Sequence, residues 1–87
     1  MNAAIIRDKV TTRELLQRLR PNTKFRNVGA NVFCLSPLRT ETADSFCIFP
    51  DNRWTDYGTD ESGDVIDLFM RLTKCDYNAA LEQLSAF

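Results

Sequence analysis

Two runs of large and β-branched residues, Ser45-Phe46-Cys47-Ile48-Phe49 and Arg53-Trp54-Thr55-Asp56-Tyr57, stand on either side of Pro50-Asp51-Asn52. Runs of this kind joined by turn-forming residues commit the middle of the chain to a tight β-hairpin over 45–57. Around it the apolar spacing changes. In Thr11-Thr12-Arg13-Glu14-Leu15-Leu16-Gln17-Arg18-Leu19-Arg20-Pro21, three leucines form a stripe, Glu14 lies near the start and two arginines near the end, which predicts a helix that Pro21 stops. Residues 24–33 alternate around Gly29 and read as a short strand or hairpin arm, and 34–44 read as a loop. After a second expected loop, Gly58 to Gly63, Asp64 caps a helix carrying Val65, Leu68, Phe69 and Leu72. A last helix begins near Asp76 with Tyr77, Ala80, Leu81 and Leu84 at the same period. The expected fold is α+β: an N-terminal helix, a small antiparallel sheet and two C-terminal helices, forming a single domain over 1–87.

A chain of 87 residues has room for one compact core. It has no apolar run of membrane-spanning length, and Met1 to Val10 carries charges where a signal peptide needs an apolar stretch, so a cytoplasmic, membrane-independent protein is expected. Cys34, Cys47 and Cys75 are odd in number and lack CxxC spacing, which argues against a disulfide framework or a cysteine metal site. They are expected to be small buried residues. The absence of histidine removes the commonest general base and the commonest nitrogen ligand for zinc. Net charge is −1, yet residues 1–39 carry a surplus of six positive charges and 40–87 a surplus of seven negative ones. Either the halves attract each other, or a basic face awaits a polyanion.

Between the expected elements lie Ser36-Pro37-Leu38-Arg39, then Glu41 and Ala43-Asp44-Ser45-Phe46, then Asp56-Tyr57-Gly58-Thr59 and Gly63-Asp64-Val65-Ile66-Asp67-Leu68. In order and spacing these blocks resemble the N-terminal zinc-binding domain, of zinc-ribbon type, in bacterial and phage DnaG-type DNA primases. There the corresponding runs are Cys-Pro-Phe-His, Glu-x-Thr-Pro-Ser-Phe, Cys-Phe-Gly-Cys and a Gly-Asp or Gly-Asn that opens a helix. The resemblance puts the four metal ligands at Ser36, Arg39, Asp56 and Thr59. Only Asp56 can donate to zinc, and Arg39 would repel it, so no metal and no other cofactor is expected. The degenerate site must then be held by other means. An apolar cluster of Phe33, Phe46, Ile48, Trp54 and Tyr57 and an ion pair between Arg39 and Asp56 are the expected substitutes.

The resemblance further implies an accessory, non-catalytic domain of a primase-like replication protein from a bacterium, phage or mobile element. It would bind single-stranded DNA template for primer synthesis and partner a polymerase domain or a helicase. Aromatic residues beside cations suit such a role, because bases stack on rings while Lys and Arg neutralise phosphates. Lys24, Phe25, Arg26, Arg39, Arg53, Trp54 and Tyr57 are the candidate contacts, each weighed against being a core residue or a solvated charge. The alternative is a protein-interaction domain of a replication or mobile-element protein that lost DNA binding along with zinc and docks through its acidic C-terminal helices. Gly58 and Gly63 are expected to serve positive φ angles. A phosphate loop is excluded by Asp60, Glu61 and Asp64, and a calcium loop by the spacing of the carboxylates. With no histidine and no nucleophile–base pair, these residues alone offer no catalytic centre.

Overall fold

The computed structural model describes residues 2–40 and 43–87. Glu41, which contributes to one of the blocks above, lies outside the described residues. The elements follow in the order α1 (Ala3–Lys9), α2 (Thr12–Leu19), β1 (Arg26–Val28), β2 (Asn31–Cys34), β3 (Phe46–Ile48), β4 (Trp54–Asp56), β5 (Glu61–Gly63), α3 (Val65–Thr73) and α4 (Tyr77–Ser85). The α+β class is as expected, with two corrections. The N-terminal part holds two helices rather than one, and the segment expected to be a loop before Asp64 contains β5.

Helix α1 is short and would not stand alone in water. The Asn2 side chain caps it by accepting the Ile5 amide at 3.0 Å, and Ile6 and the following Val10 are buried in the core. Helix α2 has the capping box that its sequence encodes: Thr11 Oγ1 accepts from the Glu14 amide at 3.0 Å while the Glu14 carboxylate reaches back to Thr11. Its Leu15 and Leu16 are fully buried. Asp64 caps α3 by accepting from the Ile66 and Asp67 amides, both at 2.9 Å, and Asp76 caps α4 through the Ala79 amide at 2.8 Å.

The five strands form an antiparallel meander in sequence order. Gly29, at φ +61°, makes the turn between β1 and β2. Between β3 and β4 the turn is closed by the Asn52 amide donating to the Phe49 carbonyl, and the buried Thr12 hydroxyl of α2 donates to the Asn52 carbonyl. The register pairs Phe46 with Asp56 and Ile48 with Trp54, so Phe46, Ile48 and Trp54 share one face. That face meets the helices: Phe46, Ile48 and Trp54 join Ile6, Leu15, Leu16, Val65, Leu68 and Leu84 in one buried cluster. Trp54 stacks on Phe46 at 5.2 Å, and its indole N–H donates to the Asp64 carbonyl at 2.7 Å, tying the sheet to the start of α3.

Two expectations about side chains are corrected. Tyr57 is 58% exposed and is no part of the core, because it follows β4 on the outer side of a turn. Gly58 and Gly63 do not take positive φ; close approach is what they permit. A Cβ at Gly63 would fall 2.7 Å from the Asp67 side chain, and one at Gly58 would fall 1.7 Å from the Arg39 guanidinium. The left-handed positions in this region are Asn52 and Asp60.

Candidate functional site

The four positions at which the resemblance placed ligands are brought to one end of the sheet by β2, β4 and the loops that follow them. Asp56 closes β4 and is completely buried. A buried carboxylate must be hydrogen-bonded and paired to be tolerated. Here Ser36 Oγ donates to Asp56 Oδ2 at 2.6 Å, and Arg39 donates to Asp56 Oδ1 at 2.8 Å. The Gly58 amide donates to the same Oδ1 at 2.9 Å. Ser36 Oγ in turn accepts from the Leu38 amide at 3.1 Å, and Arg39 also donates to Ser45 Oγ at 2.9 Å. The expected Arg39–Asp56 ion pair is thus present, as the centre of a network that also recruits Ser45 and Gly58. Burial works to raise the Asp56 carboxyl, but hydrogen bonds from Ser36, Arg39 and Gly58, with the charge of Arg39, together hold it below the usual carboxylate range.

The chain from Asp56 to Asp60 curls around this carboxylate. The Asp60 amide donates to the Asp56 carbonyl at 2.8 Å, and Asp60 takes φ +62°. Thr59 lies on this turn and acts on the Glu61 carboxylate, which Arg71 holds at 2.9 Å and keeps below its ordinary range with help from Thr59. Gly58→Ala should therefore cost about 1–3 kcal/mol, because the new methyl group displaces the guanidinium from Asp56; urea denaturation against the parent chain measures this.

This donor set does not fit zinc. Its one carboxylate is saturated by a hydroxyl, an amide and a guanidinium, and the guanidinium occupies the ground a cation would need. Among the described residues no three His, Cys, Asp or Glu side chains converge. Cys34 and Cys47 do not substitute: they alternate on neighbouring strands, opposite Phe46 and Phe33 respectively, and so point to different faces. Burial, with the charges of Asp44, Cys47 and Asp56, pushes the Cys34 thiol up to about 12, so it stays protonated.

The candidate nucleic-acid contacts fall into three groups. Trp54 is 2% exposed, and Arg39 is committed to Asp56 and Ser45; neither presents the free surface expected of it. Phe25 is half-buried against the core with the Arg13 guanidinium 4.7 Å above its ring. Arg26, Lys24, Arg53 and Tyr57 are exposed. Arg26 lies in register with Phe33, Cys47, Thr55 and Ser62, the row that faces away from the helices. Its guanidinium lies 5.6 Å over Phe33 and pairs with Asp44 at 3.0 Å. Val28, 43% exposed, shares that face at the β1 edge. By the same alternation Phe49 and Arg53, joined by the Phe49 amide and the Arg53 carbonyl, continue it at the hairpin end. Phe33, expected in the apolar cluster under the helices, instead lies on this opposite face as the direct cross-strand partner of Cys47; it, Val28 and Arg13 were not among the expected contacts.

The charge asymmetry is partly consumed inside the fold. Arg7–Asp64, Arg26–Asp44 and Arg39–Asp56 each join the basic half to the acidic half. Asp64, Asp67 and Asp76 serve helix starts. Among the described residues Lys9, Arg13, Arg18, Arg20, Lys24, Arg53 and Lys74 take no ion pair, and neither do the carboxylates of Asp8, Asp51, Asp60 and Glu82.

Comparison with known proteins follows the same outline. The model of the CHC2 zinc finger, the DnaG zinc ribbon, matches residues 2–87. The crystal structure of the Aquifex aeolicus primase, comprising its zinc-binding and RNA polymerase domains, superposes with a TM-score of 0.80 at 18% identity, covering 99% of this chain and 21% of that one. The chain therefore spans about a fifth of the length of that primase chain. No match was found among curated protein sequences. No helix of the described residues is long and apolar enough to cross a membrane. With residues 2–87 matched and the ligand positions of the family occupied by a polar network of Ser36, Arg39 and Asp56, the chain belongs to the DnaG zinc-ribbon family of CHC2 zinc fingers, a DNA primase-associated domain.

Proposed function

We propose that this domain is a non-catalytic accessory module that binds single-stranded DNA template across the open face of its sheet. It would serve as the N-terminal part of a longer primase-like protein whose polymerase domain lies elsewhere. The observation that carries the reading is the pairing of Arg26 with Phe33 on the face the helices leave uncovered, beside exposed Val28 and with Lys24 and Arg53 near its margins. Such a surface offers an apolar platform for bases and cations for phosphates. The acidic-helix docking alternative is weakened because Asp64, Asp67 and Asp76 are engaged at helix starts and Glu61 is paired with Arg71.

A fluorescently labelled oligothymidylate, titrated at 50 and 200 mM salt, tests the proposal. Affinity should fall about tenfold or more between the two salts if a few phosphates are neutralised. Lys24→Glu, Arg26→Glu and Arg53→Glu should each weaken binding several-fold, whereas Trp54 emission should hardly respond, since its ring is buried. Absence of binding at the lower salt sinks the reading.

A further inference from the structure

Beyond the end of the open face lies a groove of about 770 Å³, between the exit of α2 and the segment after β2. Its volume is in the range of pockets that take small molecules. One wall is the turn Arg20 to Lys24, the other Leu35 to Pro37. Both walls are pinned. The Thr23 amide and hydroxyl both donate to the Arg20 carbonyl, at 3.0 and 2.7 Å, and Ser36 is fixed by Asp56 and by the Leu38 amide. The floor is apolar where it is most accessible: Leu35 is 47% exposed, with Leu19, Pro21 and Pro37 around it.

Leu35 is the first residue past the end of β2, two beyond Phe33 of the open face, and its side chain is exposed. Charge complements this. Arg20 and Lys24 line the groove and take no ion pair among the described residues, while Asp44, a carboxylate on its lining, is neutralised by Arg26 at 3.0 Å. The carbonyl end of α2, which would repel an anion, is answered by Arg20 donating to the Leu19 carbonyl at 2.9 Å. An apolar floor at the end of a stacking face, under two cations, fits an unpaired nucleobase whose phosphate meets the rim.

We infer that this groove holds one unstacked nucleotide of the bound single strand, its base against Leu35 and the prolines and its phosphate near Arg20 and Lys24. The inference rests on the open-face reading, and one experiment separates the two. In amide chemical-shift mapping of the full chain titrated with oligothymidylate, both the open-face residues Arg26, Val28 and Phe33 and the groove residues Arg20, Asn22, Thr23, Leu35 and Ser36 should move. Shifts on the open face with an unmoved groove overturn the groove while leaving the open-face reading in place; no shifts at all overturn both. Leu35→Asn should leave thermal stability unchanged, because the side chain is exposed, yet weaken oligonucleotide binding about fivefold; unchanged affinity overturns the inference. A groove that instead shifts with an acidic peptide and not with the oligonucleotide also overturns it.

Discussion

Arg39→Ala should destabilise the domain by about 3 kcal/mol, toward the lower end of what breaking a buried ion pair costs, since the arginine side chain keeps 27% of its surface exposed. Against a total stability of roughly 5–15 kcal/mol for a domain, this is a severe loss. The cause is the charge left behind. Asp56 is fully buried, and Ser36 and Gly58 alone must then carry it. Adding Asp56→Asn to Arg39→Ala should therefore recover part of the stability, because the amide has no charge to orphan. A double-mutant cycle by urea denaturation gives the coupling directly; additive losses would show that the pair does not hold the end of the sheet. The pH dependence follows from the sign of the shift. Asp56 has a folded value held below its unfolded one, so its contribution is fully present above the ordinary carboxylate range and is lost as pH falls through the lowered folded value. In Arg39→Ala that acid-labile contribution should be largely gone, and the gap between variant and parent should narrow in acid.

Much of this fold is legible in the sequence because local signals and tertiary demands agree. Thr11, Asp64 and Asp76 are each followed by apolar residues at helical period, and each caps the helix it announces. The hairpin of β3 and β4 is equally plain. Helix α1 is not, because seven residues with one buried isoleucine carry no periodicity; only docking on α3 and α4 makes them helical. Strand β5 is hidden for a related reason. Glu61-Ser62-Gly63 has no β-forming residue, and its ladder to Trp54-Thr55-Asp56 exists because the turn at Asp60 returns the chain alongside β4. For the site, sequence identifies the positions and the Arg39–Asp56 pair at their centre, but not the Ser36, Ser45 and Gly58 groups that complete the network. Trp54 reads as a stacking platform beside Arg53 until register sets it on the same face as Phe46 and Ile48, where three large apolar residues can only be core. Gly58 reads as a turn glycine, and its actual service is to let the Arg39 guanidinium pass.

Replacing Ser36, Arg39, Asp56 and Thr59 together by Cys, His, Cys and Cys should convert the chain into a zinc protein holding about one metal ion per molecule. The argument rests on what the polar network preserves. Ser36, Arg39 and Asp56 already meet through side chains 2.6 to 2.8 Å apart, and the turn from Asp56 to Asp60 wraps back on that point with Thr59 at its bend. The fold thus keeps three of the four ligand positions together, with the fourth on the adjoining turn, and two hydrogen bonds stand where coordinate bonds would. Such a conversion changes the energetics by a large amount. Structural zinc contributes roughly 10–16 kcal/mol of apparent binding energy in finger peptides, whereas breaking the Arg39–Asp56 pair costs about 3 kcal/mol. The quadruple variant should therefore melt well above the parent in zinc and well below it after chelation, since its apo form has lost the network and gained nothing. The parent should be indifferent to chelator, because its network contains no metal ligand set. Metal analysis of the purified variant, with thermal melts in zinc and in EDTA, decides the matter. A folded variant that holds no zinc would show that Thr59 lies too far from the other three, and that the site has lost its geometry as well as its ligands.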